Sequence, residues 1–258
     1  MIKLVVSDVD GTLLLKNEEV LDSRIMLSLQ KLIDGGITTA VASGRTYGSL
    51  CEIFKPLSDK LYFICCDGAV TVLDGKVLYT RSIPTTDVIS IINHPSYIDC
   101  GIILCTPTKS YILKGDEDFA LEAYRQSLEK PDYLASFYGL CEPIVKICVF
   151  SKDGKAKPVS FMPKSLRVSY LSDTWCEYVS VIANKGLAVS DLQMRLYLSK
   201  FDTLAIGDGV NDIEMMKKAK YSVSVPNCAK ELKNFCNLHT DDVSEFLETY
   251  FFFDKKKK

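Results

Sequence analysis

The chain has 258 residues, of which 47% are hydrophobic and 25% are charged, and its formal net charge is −2. This near-neutral charge gives no reason to expect a nucleic acid or an anionic membrane as a partner, because both attract strongly basic surfaces. The length is close to the size at which one hydrophobic core stops growing, so we expect one large domain or a core with an inserted domain.

Ten cysteines are scattered along the chain without a C-x-x-C pair. Most lie in apolar runs, such as residues 62–66 and 145–150, where a free thiol behaves as a small hydrophobic group. We therefore expect reduced cysteines and a cytoplasmic protein. No stretch approaches the roughly 20 apolar residues that span a bilayer, so no membrane partner is expected either.

The first predicted strand covers residues 2–7 and ends at Asp8 and Asp10. Side chains two residues apart in a strand lean to the same side, so two like charges crowd together where open α/β sheets bind ligands. Such crowding is costly unless a cation is present or one acid keeps its proton, and Mg²⁺ prefers oxygen ligands. The Asp10-Gly11 pair is also typical of a hairpin turn, with residues 13–15 as the return strand.

Strands and helices alternate after this first strand. The patterns predict a helix over 22–32, a strand over 37–42, a helix over 46–54 and a strand over 61–66. This alternation is typical of a doubly wound parallel sheet. Residues 69–79 then predict a hairpin with a two-residue turn at Asp74-Gly75.

Residues 82–183 differ in character, because short strands alternate there with helices. The predicted strands cover 101–105, 110–113, 144–150, 166–171 and 177–182, and the helices cover 87–93 and 116–128. We expect an α+β domain inserted into a core of residues 1–81 and 184–258. The core then continues with a helix over 186–198, a strand over 201–206, a helix through Lys217, a strand over 221–225, a helix near Lys230 and a last helix over 243–251.

Polar clusters lie at four points where strands end or helices begin. They are Asp8 with Asp10, Ser43 with Gly44, Lys185, and Asp208 with Asn211 and Asp212. Because parallel strands end at the same edge of a sheet, we expect these clusters to converge. Each cluster alone has a plainer explanation, such as a helix cap for Ser43 or a surface position for Lys185. Together they favour a single site.

These clusters belong to four motifs, D-V-D-G-T-L at 8–13, A-S-G-R at 42–45, N-K-G at 184–186 and G-D-G-V-N-D at 207–212. In this order they resemble the haloacid dehalogenase superfamily and, more narrowly, its Cof-type phosphatases. The resemblance implies a Rossmann-like, three-layer parallel-sheet core with an α+β cap domain inserted at 82–183. It also implies hydrolysis of small soluble phosphorylated metabolites, with sugar phosphates as the first candidates.

The resemblance further implies roles for individual residues. Asp8 would attack phosphorus and form an aspartyl-phosphate, and Asp10 would protonate the leaving oxygen and later activate water. Mg²⁺ would be held by the carboxylates of Asp8 and Asp208 and by the backbone carbonyl of Asp10, with Asp212 reaching its waters. The phosphate oxygens would be bound by Ser43, the amides of Val9 and Gly44, Lys185 and Asn211.

One departure from the Cof-type pattern concerns the substrate. Asp67-Gly68-Ala69 stands where those proteins usually carry Asn-Gly-Ala. The extra carboxylate could bind a substrate hydroxyl or amine, or Asp67 could be a turn residue. Arg45 is a second candidate for a substrate contact, and a solvated or salt-bridged arginine is the alternative.

Two other functions stay open from the sequence. One is a phosphotransferase or phosphomutase on the same fold, which would return the phosphoryl group to a sugar hydroxyl. The other is a phospho-ligand binding protein that has kept the pocket without turnover. Release of inorganic phosphate separates a hydrolase from both.

Overall fold

A computed structural model describes residues 1–15, 18, 20–127 and 129–252 of the chain. The chain divides into two compact units. The first comprises Met1–Ser43, Ile53–Ile64 and Asn184–Lys258, and the second comprises Gly44–Glu52 and Cys65–Ala183. Within the described ranges, every helix falls short of the length and apolar character that crossing a bilayer requires.

The described residues form fourteen strands and eight α-helices. The strands are β1 (Leu4–Asp8), β2 (Thr38–Ala42), β3 (Tyr62–Cys65), β4 (Val70–Leu73), β5 (Lys76–Thr80), β6 (Gly101–Cys105), β7 (Ser110–Lys114), β8 (Asp132–Tyr133), β9 (Lys146–Phe150), β10 (Leu166–Leu171), β11 (Trp175–Ser180), β12 (Thr203–Gly207), β13 (Tyr221–Ser224) and β14 (Leu238–His239). The helices are α1 (Ser23–Asp34), α2 (Tyr47–Ile53), α3 (Thr85–Ile92), α4 (Glu117–Ser127), α5 (Lys185–Arg195), α6 (Ile213–Met216), α7 (Lys230–Lys233) and α8 (Val243–Phe252).

The first unit is built on a parallel sheet with the strand order β14-β13-β12-β1-β2-β3. Every residue of β1 and of β12 is buried, as is typical of parallel strands that are covered on both faces. Since Leu4 pairs with Thr203 and Ser7 pairs with Ile206, the two strands run in register and end side by side. Their carboxyl ends therefore present Asp8 and the residue after Gly207 at one edge of the sheet.

Helix α1 of the first unit buries one apolar stripe. In α1 the buried residues Ile25, Leu29 and Leu32 recur at helical spacing. The helix begins after Asp22, whose side chain accepts a hydrogen bond from the Arg24 amide. It packs beside α8, where the hydroxyls of Ser28 and Ser244 lie 3.0 Å apart.

The second unit contains a six-stranded sheet with the order β10-β11-β9-β6-β7-β8. All neighbouring pairs are antiparallel except β7 and β8, which are parallel. Ile147 and Val149 of β9 belong to a hydrophobic core that also includes Val88 and Ile91 of α3. Because successive side chains in a strand point to opposite faces, Lys146, Cys148 and Phe150 lie on the other face.

That other face carries aromatic side chains and α4. Phe119 of α4 stacks on Phe150 with 5.4 Å between the ring centroids, and Phe150 lies 5.8 Å from Trp175. The second unit also contains the antiparallel hairpin β4–β5, which turns at Asp74 and Gly75, both with positive φ. The predicted two-residue turn is confirmed.

The α/β fold predicted from the alternation of elements is confirmed, with corrections to several boundaries. The predicted strand 201–206 starts only at Thr203, because Lys200–Asp202 forms a 3-10 turn closed by reciprocal hydrogen bonds between Ser199 and Asp202. The predicted helix through Lys217 is shorter, since the 3-10 turn Val210–Asp212 precedes it and α6 ends at Met216. Likewise α5 ends at Arg195 instead of Leu198.

Further differences concern short or shifted strands. The strand predicted at 177–182 is β11, two residues earlier in the chain. The two-residue strands β8 and β14 were not predicted, because each is too short to show a pattern. Among the described residues after Gly11, Leu14 forms only an isolated bridge with Asp10 and no return strand. Leu128, the last residue of the helix predicted at 116–128, lies outside the described residues.

The predicted boundaries between core and inserted domain stay a prediction. The compact units place residues 44–52 and 65–81 with the second unit. Hydrogen bonds give a physical reason, since the Cys66 amide donates to the Arg45 carbonyl at 2.9 Å and Lys146 Nζ donates to the Gly44 carbonyl at 2.7 Å.

Candidate active site

Three carboxylates meet at the edge of the sheet where β1 and β12 end. Asp8 is the last residue of β1, Asp208 follows β12, and Asp212 lies in the next turn. Each offers an oxygen atom, and these atoms all lie within 4.8 Å of one another. Asp8 and Asp212 are buried and Asp208 is partly buried, so solvent screens this negative charge poorly.

Lys185 supplies a buried positive charge to this cluster. Its side chain is 1% exposed, and its Nζ donates to Asp8 Oδ1 at 2.6 Å and to Asp212 Oδ1 at 2.7 Å. A buried lysine of this kind is stable only when it is paired. Lys185 thus pairs with two of the three carboxylates of this cluster, Asp8 and Asp212.

The N-K-G motif positions this lysine at the start of α5. Asn184 caps the helix, because its Oδ1 accepts the Leu187 amide at 2.8 Å. A Cβ atom on Gly186 would lie only 2.4 Å from the carbonyl oxygen of Glu214. Glycine is therefore required for α5 to approach α6 this closely, and that approach sets the position of Lys185.

Asp212 shapes the loop that carries Asp208. Its Oδ2 accepts the backbone amides of Asp208 at 3.1 Å and of Gly209 at 2.9 Å, while its Oδ1 accepts Lys185. Both oxygens of Asp212 are thus engaged by the protein. The expected contact of Asp212 with metal-bound waters stays a prediction.

Asp8 is electrostatically unsatisfied in this setting. Burial raises the pKa of its carboxyl well above the usual range, the charge of Asp212 raises the pKa further, and Lys185 opposes both. Its Oδ2 atom is buried and accepts no hydrogen bond from any residue in the described ranges. An unmatched buried carboxylate oxygen is costly. Because hard divalent cations take carboxylate oxygens as ligands, these donors fit Mg²⁺.

The loop after Asp8 depends on Gly11. Its φ of +90° is in the left-handed region, and a Cβ atom there would lie 2.3 Å from Asp208 Oδ2. The loop closes through hydrogen bonds from the Gly11 amide to the Leu14 carbonyl at 2.7 Å and from the Leu13 amide to the Val9 carbonyl at 2.9 Å. Glycine at this point therefore lets the β1 loop lie against Asp208.

Ser43 of the second motif contacts Asp10 of the first motif. It follows β2, is 1% exposed, and its hydroxyl donates to Asp10 Oδ2 at 3.1 Å. Asp10 itself is exposed, whereas Val9 is completely buried. Asn211 is exposed in the turn before α6. The side chains of Asp8, Ser43, Lys185 and Asp208 thus lie at one edge of the sheet, as the motifs predicted.

The other three predicted site residues belong to the second unit. Gly44 and Asp67 lie close together there, because a Cβ atom on Gly44 would lie 3.4 Å from Asp67 Oδ2. Asp67 is 5% exposed and has a left-handed φ of 54°, a conformation that aspartate tolerates better than most residues. Arg45 donates from Nη1 to Ser49 Oγ at 3.3 Å. Their proposed contacts with a substrate stay predictions.

One buried charge was overlooked in the sequence. Lys146 is only 3% exposed and begins β9, a strand whose five residues are all buried. A lysine in the otherwise apolar run Lys146–Phe150 is the signal that could have identified it. Its partner Glu177 follows 31 positions later, a pairing that periodicity does not reveal.

Comparisons with known proteins identify the family of this chain. Residues 5–245 match the family model of the haloacid dehalogenase-like hydrolases. The phosphatase YbjI of Escherichia coli (strain K12), named for 5-amino-6-(5-phospho-D-ribitylamino)uracil, is 24% identical over 238 residues, which cover 88% of this chain and 86% of that protein. An HMP-PP phosphatase of Yersinia pseudotuberculosis is 24% identical over 245 residues, which cover 90% of this chain and 87% of that protein.

A solved structure shows the same fold. A haloacid dehalogenase-like hydrolase from Bacteroides thetaiotaomicron superposes with a TM-score of 0.85 and 22% identity, covering 97% of this chain and 100% of that one. The predicted fold class is thereby confirmed, and the predicted phosphatase class is confirmed by the family match together with the named phosphatases. With its motifs, its fold and most of its length in agreement, the chain belongs to the haloacid dehalogenase-like hydrolases.

Proposed function

We propose that this protein is an Mg²⁺-dependent phosphomonoester hydrolase that acts on small phosphorylated metabolites through an aspartyl-phosphate at Asp8. One observation carries the proposal: Asp8 is buried and held by Lys185 at 2.6 Å, while its second oxygen accepts no hydrogen bond within the described residues. Lys185 orients one oxygen of this carboxylate and the other oxygen is unsatisfied. Such a group is suited to bind a cation and to attack a phosphate.

The negative charges of Asp8 and of a phosphate dianion repel each other. Two unit charges of the same sign 4 Å apart repel by about 4 kcal/mol at an effective dielectric constant of 20, and a phosphate dianion roughly doubles this repulsion against Asp8. The Lys185 ammonium offsets part of it from within the protein. We infer that Mg²⁺ is held by the carboxylates of Asp8 and Asp208 and by the Asp10 carbonyl. When bound, the ion would neutralise charge on the phosphate and polarise its oxygens.

Asp8 and Asp10 then carry out the two chemical steps. A carboxylate oxygen of Asp8 forms a bond to phosphorus as the ester P–O bond breaks, and Asp10 gives a proton to the leaving oxygen. Water next attacks the aspartyl-phosphate, Asp10 takes a proton from that water, and the P–O bond to Asp8 breaks. Asp10 suits this part because it is exposed and is oriented by the Ser43 hydroxyl.

Phosphate recognition is assigned to groups around this pair. Ser43, the amides of Val9 and Gly44, and Asn211 are proposed to donate hydrogen bonds to the phosphate oxygens. Lys185 is proposed to balance the charge between Asp8 and the transferred group. These assignments follow the motif positions, and the 2.6 Å distance from Lys185 Nζ to Asp8 Oδ1 supports the role of Lys185.

The proposed substrates are small phosphate esters, and sugar phosphates come first. The YbjI relative is named for a substrate with a phosphorylated ribityl chain, and the Yersinia relative is named for HMP-PP. Arg45 and Asp67 are proposed to contact the part of the substrate beyond its phosphate. All ten cysteines of the chain are free thiols, which supports the proposed cytoplasmic location.

A phosphate-release screen tests the proposed function. The intact protein is incubated with Mg²⁺ and a panel of sugar phosphates, pyridoxal phosphate and nucleotides, with Asp8→Asn as the control. We expect inorganic phosphate from at least one ester in the wild type and none from the variant. Transfer of the phosphoryl group to a sugar without phosphate release would identify a phosphotransferase. Tight binding without turnover would identify a binding protein.

A further inference from the structure

A second buried ion pair lies in the sheet of the second unit, outside the chemistry described above. Lys146 of β9 donates from Nζ to Glu177 Oε2 of β11 at 2.6 Å, and the two side chains are 4% and 15% exposed. Burial alone would lower the pKa of Lys146, but the neighbouring Glu177 carboxylate, with smaller contributions from nearby cysteines, raises it well above the usual range, so the lysine is ionised. Glu177 is itself fixed, because its Oε1 accepts the indole N–H of Trp175 at 3.0 Å.

Stability does not account for this pair. Buried ion pairs contribute little net free energy of folding, because the cost of desolvating both charges offsets most of their attraction. An apolar pair would fill the same space on this face, which already carries Phe119 and Phe150. Sequences that break the apolar pattern inside a sheet commonly do so for function.

The ammonium of Lys146 has a second acceptor in a backbone loop. It donates to the Gly44 carbonyl at 2.7 Å, across 102 positions of the sequence and within the same compact unit. The Gly44 carbonyl and the Arg45 amide belong to one planar trans peptide and point in opposite directions. A hydrogen bond to that carbonyl therefore fixes the orientation of the whole peptide that follows Gly44.

The two residues after Gly44 are held in the same way. The Arg45 carbonyl accepts the Cys66 amide at 2.9 Å, and the Thr46 hydroxyl donates to the carboxylate of Glu129. Glu129 also accepts the Ser110 hydroxyl at 3.1 Å. Three consecutive residues after Ser43 are thus anchored by groups of the second unit that lie far away in sequence.

We propose that Lys146, held by Glu177, is a positioning residue for the phosphate-binding segment at 43–45. This inference rests on the proposed function, because it takes that segment as the one that receives the phosphate. The Glu177 carboxylate neutralises the lysine, so Lys146 acts by geometry and not by adding charge. A segment fixed before binding loses less conformational freedom when phosphate arrives, and affinity rises accordingly.

The test measures the affinity for inorganic phosphate, which does not depend on turnover. The Lys146→Met/Glu177→Gln double variant removes the donor to Gly44 without leaving an unpaired charge, and calorimetry in Mg²⁺ gives its Kd. We expect Kd to rise about tenfold, which corresponds to about 1.4 kcal/mol. In the active enzyme the KM for a phosphate ester should rise similarly, while kcat changes less than about threefold.

Two further variants separate positioning from folding. Lys114 Nζ donates to the Ile92 carbonyl at 2.9 Å, so Lys114→Met removes a lysine–carbonyl bond away from the loop and should leave Kd and KM unchanged. Lys146→Arg keeps a charged donor and should restore most of the phosphate affinity. Glu177→Gln alone, which only weakens the pair, should raise Kd about threefold if the double variant does not fold.

The outcomes distinguish this inference from the proposed function. A wild-type Kd in the folded double variant, or in Glu177→Gln, would overturn the positioning role while leaving hydrolysis intact. An equal loss of affinity in Lys114→Met would also overturn it, because the effect would then be general. Phosphate binding that follows the expected order in a protein without turnover would support Lys146 and reject hydrolysis.

Discussion

Two buried lysines in this protein illustrate how a buried charge can serve different purposes. Lys185 in the first unit pairs with Asp8 and Asp212, and Asp208 lies nearby. Three carboxylates therefore gather at this lysine, and one oxygen of Asp8 is unsatisfied among the described residues. Lys146 in the second unit donates to the Glu177 carboxylate and to one backbone carbonyl. The unbalanced cluster around Lys185 is suited to bind a cation, whereas the balanced pair of Lys146 and Glu177 is suited to hold a neighbouring segment in position.

The largest expected effect comes from substituting Asp8, an acidic residue of the unbalanced cluster around Lys185. Asp8→Asn removes the proposed nucleophile but keeps its shape, so turnover should fall by about 10⁴-fold or more. Phosphate release measures the activity, and circular dichroism should show an intact fold. Glu177→Gln, the same substitution in the balanced pair, should retain turnover within about tenfold. Comparable inactivation by both would contradict the division between the two clusters.

Removal of divalent ions should distinguish the clusters almost as strongly. Chelation should lower turnover by about 10³-fold, because metal stabilisation of the transition state contributes several kcal/mol. Added Mg²⁺ should restore activity and raise Tm, since an ion that binds only the folded state stabilises it. Asp208→Asn should abolish the Mg²⁺-dependent shift in Tm. Full activity in metal-free protein would remove the basis of the proposed mechanism.

Substitution of each lysine by methionine should have similar effects on folding and different responses to metal. Breaking a buried pair costs about 3–5 kcal/mol of unfolding free energy in either unit. In Lys185→Met the freed carboxylates can bind Mg²⁺ more tightly, so the ion should recover part of that loss. In Lys146→Met it should recover none. Denaturant unfolding with and without Mg²⁺ measures both, and identical responses would show that the clusters do not differ.

Gly186→Ala should act on the unbalanced cluster through packing alone. The added Cβ would meet the Glu214 carbonyl at 2.4 Å, so α5 must shift and displace Lys185. We expect a loss of about 1–3 kcal/mol of stability and about a tenfold loss of kcat. Gly139→Ala is the matched control, because among the described residues no atom beyond Gly139 and its two chain neighbours lies within 4 Å of its Cβ position. Unchanged stability in Gly186→Ala would show that the α5–α6 packing tolerates the methyl group.

The smallest expected effect concerns an exposed pair near the site. Lys217 Nζ lies 2.6 Å from Glu214 Oε1, and the two side chains are 44% and 51% exposed. Because solvent screens such pairs, Lys217→Ala should change the unfolding free energy by less than about 1 kcal/mol and leave kcat unchanged. Thermal unfolding and phosphate release measure the two quantities. If Lys217→Ala lost as much unfolding free energy as Lys185→Met, burial would not determine how much an ion pair contributes to stability.

The sequence predicted the first unit better than the second for a physical reason. Asp8 and Asp208 follow buried strands, and parallel strands necessarily end at one edge, so their convergence could be predicted without coordinates. The capping of α5 by the Asn184 side chain was not predicted, and the structure shows it. The predicted roles of these residues in catalysis stay predictions until turnover is measured.

Side-chain contacts across an antiparallel sheet could not be predicted from the sequence. Pairing of Lys146 with Glu177 depends on the register of β9 against β11, and β11 itself lies two residues earlier than predicted. A shift of one residue in register would send the side chain to the other face. The 3-10 turn at Lys200–Asp202 was missed similarly, because Phe201 has strand propensity while Ser199 and Asp202 close a capping box.

The account depends most on the transfer of a phosphoryl group to Asp8, and trapping that group tests it directly. Asp10→Asn should slow the hydrolysis of the intermediate, so ³²P-labelled p-nitrophenyl phosphate, which needs little acid assistance, should leave label on the protein after an acid quench. We predict label on the peptide that contains Asp8, and no label in Asp8→Asn/Asp10→Asn. Label elsewhere in the chain, or retained in the double variant, would contradict the account.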